Sequence, residues 1–583
     1  MNIKSAALLL LFLCTSPSLL IADSQFFDTT PKEELIDSIV ESMNDTELLG
    51  QVMLLGYFGS DPSEDILRWI REKKIGGVKI FGWNAENLRS LARSVRTMQQ
   101  TASDTRLSIP LFVATDQEGG WVRHVKGDTS ITPGNLAIGA TGLPHDAYRT
   151  GLYIGKELRI LGINMNFAPT VDVYTNPNAH VIGPRAFSDD PVKTAQLGVA
   201  YYRGLQKAGV ISTAKHFPGH GSAQEDSHGT LPLIPTTLDT MWQRELLPYR
   251  FLSKRDLPAI MSGHLAFPNI LGDKTPASLS SFFLREVLRK QIDFHGIVIT
   301  DDMRMHSVIE NGMSTAEACL QALLNGNDMI MLSQDTQMYR RVWNHLYKEL
   351  HNNPKFRRIL EESVRNILRI KAEYLKGPNA VPLYPDPQEA ARNIPTPQGK
   401  EFFTQHAYRS VTVIRDALLP YRHEQGSLLI ASQLHRFLSE AERYYPQADT
   451  YHFPYSPFYE AKSSTIRELR QKAEAYDTLI FCIANPNSAQ VLEALREIKA
   501  EIIVVSVLTP IYFQRMPWVE TAIAVYGTGR DSYAAGFATL QGRVKPDATL
   551  PISLKEPEAS RKDESRSAQS SSTALPSTEE AVE

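Results

Sequence analysis

Cysteine is scarce in this chain, which carries only Cys14, Cys319 and Cys482 in 583 residues. The latter two sit far apart in apolar stretches, EACLQALL and LIFCIAN, a setting that suits buried free thiols in separate domains and argues against a disulfide. An excess of either charge is also missing. The formal net charge is −4, so no basic surplus exists to neutralise nucleic acid or an anionic membrane. Long apolar runs are missing too: Ala6 to Leu13, after the positively charged start Met1-Asn2-Ile3-Lys4, is too short to span a bilayer comfortably. It has the form of a secretory signal, with cleavage expected after Ala22 and an uncleaved anchor as the alternative. Cys14 opens a lipoprotein reading, although Leu13 stands where a small residue is expected. No HExxH helix, no HxH on the first strand, no glycine-rich dinucleotide fingerprint and no internal repeat occur, which removes the usual marks of zinc and nucleotide enzymes.

What the chain does contain is regular. Apolar residues make up 42% and charged residues 22%, the balance of a globular protein, and the length calls for more than one core. Short apolar or β-branched runs recur at 51–58, 76–82, 110–116, 164–173, 211–217, 258–264, 296–302 and 328–334. Amphipathic stretches separate them; AENLRSLARSVRTMQQ puts Leu88, Leu91, Val95 and Met98 on one face. Eight such units predict an α/β fold, a parallel sheet closed into a (β/α)₈ TIM-type barrel over 30–377. A doubly wound open sheet is the competitor. A proline-rich stretch, 378–400, reads as a linker. A second set of runs at 411–416, 427–433, 477–485, 501–508 and 521–527 predicts a C-terminal α/β sandwich domain over 401–555. The polar tail 556–583 is expected to be disordered, and 1–22 is the expected signal peptide.

Charged groups sit where the barrel strands end: Asp116, Asp172, Lys215, His216, His264, Asp301 and Asp302. In a barrel these ends converge on one mouth, where active sites lie. The stretch KHFPGHGSAQEDSHGTLPLI, residues 215–234, follows the fifth strand, and its prolines and glycines favour a loop over that mouth. Asp226 and His228, two residues apart, suit a carboxylate that orients an imidazole for proton transfer. The same loop can be read as metal ligation by His216, His220, Asp226 and His228, with His264 recruited, or as a plain polar loop. VITDDMRM ends the seventh strand with paired carboxylates, Asp301 and Asp302, one of them a candidate nucleophile or stabiliser of positive charge, the other suited to structural contacts, with an N-cap open to Asp302. TDQEGGWVRHV brings Asp116 and a tight Gly119-Gly120 turn; Arg185 follows the fourth strand. Carboxylates mixed with Lys, His and Arg suit a polyhydroxylated substrate of little net charge.

These motifs resemble glycoside hydrolase family 3, β-N-acetylglucosaminidase branch, in its two-domain form, over roughly residues 30 to 555. KHFPGHG followed by DSH and LP (215–232) is the most specific match, supported by TDQEGG, APTVDV, VIGPRAFSDDP, ITDDM and LPISL. The resemblance implies a retaining mechanism with Asp301 as nucleophile and His228, paired with Asp226, as general acid/base in place of the second carboxylate most retaining glycosidases carry. It implies that Asp116, Arg185, Lys215 and His216 hold sugar hydroxyls, with His264 nearby. It also implies no metal or organic cofactor. The departure lies in GGWVRHV: family members carry Arg after the two glycines and again three residues later, where this chain has Trp121 and His124. Arg123 is the candidate replacement. The expected activity is release of terminal N-acetylglucosamine from murein fragments or similar glycans by an exported monomer, periplasmic or tied to the cell envelope, with a membrane tether only if Cys14 is lipidated. A family 3 β-glucosidase or β-xylosidase, phosphorolysis, and a catalytically silent glycan-binding lipoprotein are the alternatives.

Overall fold

A computed structural model of the chain describes residues 25–223, 230–309, 312–333, 335–455 and 460–555. Eight strands close into a barrel: Met53–Gly56 (β1), Gly77–Ile80 (β2), Phe112–Thr115 (β3), Met165–Asn166 (β4), Ile211–Phe217 (β5), Ala259–Ser262 (β6), Ile297–Asp302 (β7) and Met329–Leu332 (β8). Each pairs in parallel with its sequence neighbours, and β1 pairs with β8 to complete the circle. Every residue of β1, β2, β3, β6 and β8 is buried, which is why these strands read as continuous apolar runs and not as alternating ones. Helix Leu88–Ser103 starts on an Asn87 cap, whose Oδ1 accepts from the Ser90 N–H at 3.0 Å, and buries Leu88, Leu91, Val95 and Met98 against the barrel.

The fourth unit departs from expectation. Of the run 164–173 only Met165–Asn166 is paired as strand, followed by a single bridge between Thr170 and Lys215. Pro169 has no N–H to give a ladder. Asn164 compensates at the strand's start, accepting from Val113 N at 2.8 Å and donating to Leu111 O at 3.0 Å.

The stretch 378–400 is also less irregular than its composition suggests. It holds helix Pro387–Asn393, capped by Asp386, and the first turn of helix Pro397–Ser410. In both, proline stands at the first helical position, where its missing N–H is not needed.

The C-terminal domain is a six-stranded sheet built from Thr412–Asp416 (β9), Leu428–Ser432 (β10), Asp449–His452 (β11), Thr478–Ile483 (β12), Glu501–Val507 (β13) and Thr521–Tyr526 (β14), in the order β9-β14-β13-β12-β10-β11. Only the β9–β14 pairing is antiparallel. An apolar core lies on each face, one around Phe437, Ile480 and Phe537, the other around Leu469, Leu479 and Val504. β11, at the edge, is half exposed and has no apolar run, so nothing in its sequence marks it as a strand. Cys319 and Cys482 are buried free thiols, one in each domain.

The domains share a third cluster, which joins Leu136, Tyr174 and Ala186 of the barrel to Ile511, Tyr526 and Ile552. Around it, Ser188 Oγ donates to Pro551 O at 2.6 Å, Asp189 Oδ2 accepts from Ser553 N at 2.6 Å, and the His180 and Tyr512 rings stack 6.2 Å apart. The run SVLTPIYFQRMP therefore packs on the loop that follows β4. No helix among the described residues is long and apolar enough to cross a membrane.

Candidate active site

The carboxyl ends of the barrel strands enclose a cavity of about 320 Å³ lined by Lys79, Asp116, Arg185, Lys215, His216, His220 and Asp301, with Phe81, Trp121, His124, Ile182, Met261 and Met305 among its apolar and rim residues. That volume lies at the lower end of ligand pockets and fits a single sugar ring.

At its floor is Asp116, one residue beyond β3. Lys79 Nζ, from β2, donates to one carboxylate oxygen and Lys215 Nζ, from β5, to the other. Lys215 also pairs with Glu118 Oε1 at 2.6 Å. Glu118 in turn holds Arg185 through a two-pronged contact, Nε to Oε2 at 2.9 Å and Nη2 to Oε1 at 2.7 Å, the planar fork-to-fork geometry that fixes a guanidinium. Both lysines and Glu118 have side chains only 1% exposed. Burial by itself would raise the carboxyl of Asp116, but the ammonium groups of Lys215 and Lys79 outweigh it and hold Asp116 well below the usual carboxylate range. Glu118 is likewise brought down to about 2, burial opposing and Arg185 with Lys215 prevailing. Burial lowers Lys79 against the pull of Asp116, whereas Asp116 and Glu118 overcome burial at Lys215 and raise it. At neutral pH Asp116, Glu118 and Lys215 are thus fixed charges of alternating sign.

A second chain of contacts orients the imidazoles. Asp172, buried in the segment after β4, accepts from His216 Nδ1 at 2.8 Å and from the backbone N–H of His220 at 2.7 Å. The free Nε2 of His216 accepts from Arg185 Nη2 at 3.2 Å. Asp172 therefore fixes the tautomer of His216 and ties down the turn Pro218-Gly219-His220. Gly221 has to be glycine: a β-carbon there would lie 1.9 Å from Val173 O.

Asp301 and Asp302 end β7 and have separate fates. Asp302 Oδ1 accepts from Arg304 N at 3.1 Å and Ser333 N at 3.0 Å, stitching its loop to the end of β8. Both residues line the cavity, and one oxygen of Asp301 accepts from Asp302 N at 2.8 Å.

Asp116, Arg185, Lys215, His216 and Asp301 thus meet in one cavity. Two sequence candidates do not line it. Arg123 turns away: Gln117–Gly119 and Val122–Arg123 form a small hairpin, Val122 and His124 face the cavity, and side-chain alternation sends Arg123 to the other side, where Nη1 donates to Thr129 O at 3.2 Å and Thr129 Oγ1 at 3.1 Å. His264 lies behind the wall, bonded to Ser278 Oγ at 2.7 Å and to Asp302 O at 3.2 Å, and burial lowers its pKa. The cation missing from position 124 is supplied by Lys79, whose Nζ is 3.3 Å from His124 Nδ1. Burial, and then the charge of Lys79, depress His124 to about 4, so this ring is neutral and accepts from the lysine. Asp226 and His228 lie outside the described residues. Among the described residues no group of three or more His, Cys, Asp and Glu side chains is arranged to hold a metal ion.

Lys79 and Glu118 are the members that sequence reasoning left out of the site. Their signal was present: a lysine inside GGVKIFG, in a buried parallel strand, and a glutamate two residues after Asp116 each need an opposite charge nearby when buried. A larger cavity, about 470 Å³, lies between residues 127–133 and the second domain. Two of its charged residues are engaged elsewhere, Asp531 with Thr404 and Arg530 with Glu440, and no barrel strand delivers a side chain into it.

The chain's sequence and fold match known proteins. The model of the glycosyl hydrolase family 3 N terminal domain matches residues 44–370. A β-hexosaminidase A of Pseudoalteromonas piscicida is 31% identical over 371 residues, covering 60% of this chain and 61% of that protein. A β-hexosaminidase of Hydrogenovibrio crunogenus is 32% identical over 300 residues, covering 50% of this chain and 82% of its own length. Among solved structures, a glycoside hydrolase family 3 β-N-acetylglucosaminidase from Paenibacillus superposes with a TM-score of 0.79 at 27% identity, over 88% of this chain and 99% of that one, so both domains are shared.

Proposed function

The chain belongs to glycosyl hydrolase family 3, and on that premise we propose that it is an exported, retaining exo-β-N-acetylglucosaminidase acting on murein fragments or similar glycans. The similarity to β-hexosaminidases supports the sugar. The observation that carries the chemistry is Asp301, presented by a barrel strand to a sugar-sized cavity whose floor charges are already balanced.

In this reading Asp116 keeps lone pairs free beyond its two lysine contacts and accepts from sugar hydroxyls, while Lys215, Arg185 and His216 donate or accept around the ring. Held this way, the anomeric carbon faces Asp301. A carboxylate oxygen of Asp301 attacks that carbon as the glycosidic C–O bond breaks, and the protonated imidazole of His228 gives its proton to the departing oxygen. The neutral imidazole then takes a proton from water as the water oxygen attacks the same carbon and releases Asp301, so the two inversions give net retention. Asp226 orients His228 throughout. A proton donor with an intrinsic pKa of about 6.5 suits both half-reactions near neutral pH. Because the imidazole is neutral in the second step, it does not repel the carboxylate that is leaving.

The test is turnover of 4-nitrophenyl N-acetyl-β-glucosaminide by the mature chain with chelator present, beside the matching aryl glucoside. Turnover of the first in strong preference to the second is expected. Preference for the glucoside, or no turnover of either, overturns the assignment.

A further inference from the structure

Beside the cavity mouth the protein exposes a row of aromatic rings that the hydrolytic chemistry does not use. Phe81, which lines the cavity, has Lys79 Nζ 5.0 Å from its ring centre on the inner side. Farther out it stacks on Trp83, with ring centres 4.6 Å apart and planes within 10°. Phe58 follows, 6.2 Å from Trp83 and tilted by 31°. Exposure rises along the row: Lys79 is buried, Phe81 half-buried, Trp83 39% exposed and Phe58 65% exposed. The row therefore runs continuously from the cavity wall to solvent. Trp121 adds a further exposed aromatic, 45% accessible, at the same mouth.

The row is built rigidly. The Trp83 indole N–H donates to Tyr57 O at 3.0 Å. Asn84 anchors the turn that carries it, donating to Tyr57 O at 3.1 Å and Gly59 O at 2.5 Å while accepting from Phe81 N at 2.8 Å. Adjacent large apolar side chains held in water without burying one another fully are a cost to the fold and mark a contact surface. No charged side chain belongs to the outer part of the row, so it suits a neutral partner with an apolar face. The C–H face of a pyranose ring has that character.

We propose that Trp83 and Phe58 form an aglycone platform that binds the sugar rings following the one cleaved, so that the preferred substrate is a β-linked oligosaccharide and not a glycoside of a small alcohol. This rests on the N-acetylglucosaminidase reading above. Cleavage in the cavity leaves the remaining glycan on the platform, where it departs as the leaving alcohol.

The experiment compares kcat/KM on a β-1,4-linked N-acetylglucosamine trisaccharide with that on methyl N-acetyl-β-glucosaminide, for the wild type, Trp83→Ala, Phe58→Ala and Trp83→Phe, with thermal unfolding of each to confirm folding. Removing the Trp83 indole is expected to lower the trisaccharide value about tenfold and the methyl glycoside value less than about twofold, with Trp83→Phe recovering part of the loss. Equal losses on both substrates, or none on the trisaccharide, overturn the platform while the activity stands. If the wild type turns over neither substrate, the activity reading fails. Tryptophan fluorescence titrated with the trisaccharide then decides the platform: a change lost in Trp83→Ala supports it, and no change overturns it.

Discussion

The molecule contains two main sheets, one parallel and one parallel but for its β9 edge, and they use the polar residues at their strand ends differently. At the ends of β10, β12 and β13 in the C-terminal domain, neutral side chains bond to nearby backbone. Ser432 Oγ accepts from Leu434 N at 2.9 Å, Ser506 Oγ donates to Thr509 O at 2.9 Å, and Asn485 caps helix Pro486–Glu493 by accepting from Ser488 N at 2.8 Å. Each contact joins residues two or three apart and completes a turn. In the barrel the ends are charged, buried and bonded across the mouth: Lys215 reaches Asp116 across 99 positions of sequence, and Arg185 reaches Glu118 across 67. Closing a strand requires only the first kind of contact. Burying ions is expensive even when they are paired, so the second kind marks the place where the chain's chemistry lies.

The contrast can be broken at several points. The largest effect is expected at Asp301, the nucleophile of the proposed mechanism: Asp301→Ala should cost about 10⁴-fold or more in kcat with little change in unfolding midpoint, read by aryl glycoside turnover and thermal melts. Glu118→Gln leaves Lys215 and Arg185 without their shared counter-charge, and should lower unfolding free energy by about 3 kcal/mol, measured by urea titration.

A pH effect of similar size belongs to His220. Burial, with the neighbouring His216 assisting, depresses it to about 4. Between pH 6.5 and 4 the unfolded chain then binds a proton that the folded chain refuses, so stability falls as pH falls, by about 3 kcal/mol across the window. Urea titrations at a series of pH values should show a shallower loss in His220→Asn than in the wild type. The smallest effect tests the other sheet: Asn485→Ala removes a helix cap and should cost about 1 kcal/mol while leaving glycoside turnover unchanged.

The sequence reveals the barrel because its strands are buried on both faces and read as uninterrupted apolar runs. It conceals β11, an edge strand with neither face fully covered, and shortens the fourth unit because Pro169 looks like a strand residue but cannot pair as one. The site divides similarly. Residues at or just past a strand's carboxyl end, such as Asp116, Lys215, His216 and Asp301, can be placed at the mouth from position alone. Lys79 is harder to see, because a charge embedded in an apolar run acquires meaning only when its partner, 37 residues away, is known. Arg123 misleads for the opposite reason. Its residue type fits the missing arginine, yet one step along a two-stranded hairpin reverses the side of the chain, and nothing local in the sequence marks the hairpin's register. His264 follows its strand as the others do, but its imidazole is spent on Ser278 and the Asp302 carbonyl.

The second domain's part is also visible only in three dimensions. Tyr512 and Pro551 press on the loop whose other side presents Ile182 and Arg185 to the cavity, so the domain braces one wall of a site to which, among the described residues, it contributes no lining residue.

The most direct test of Asp301 as the covalent nucleophile is azide rescue of Asp301→Ala with an activated aryl N-acetyl-β-glucosaminide. Azide occupying the vacated space should restore turnover and yield the α-glycosyl azide, because a single displacement then replaces the double one. Full activity without azide, or a β-glycosyl azide product, would contradict that role.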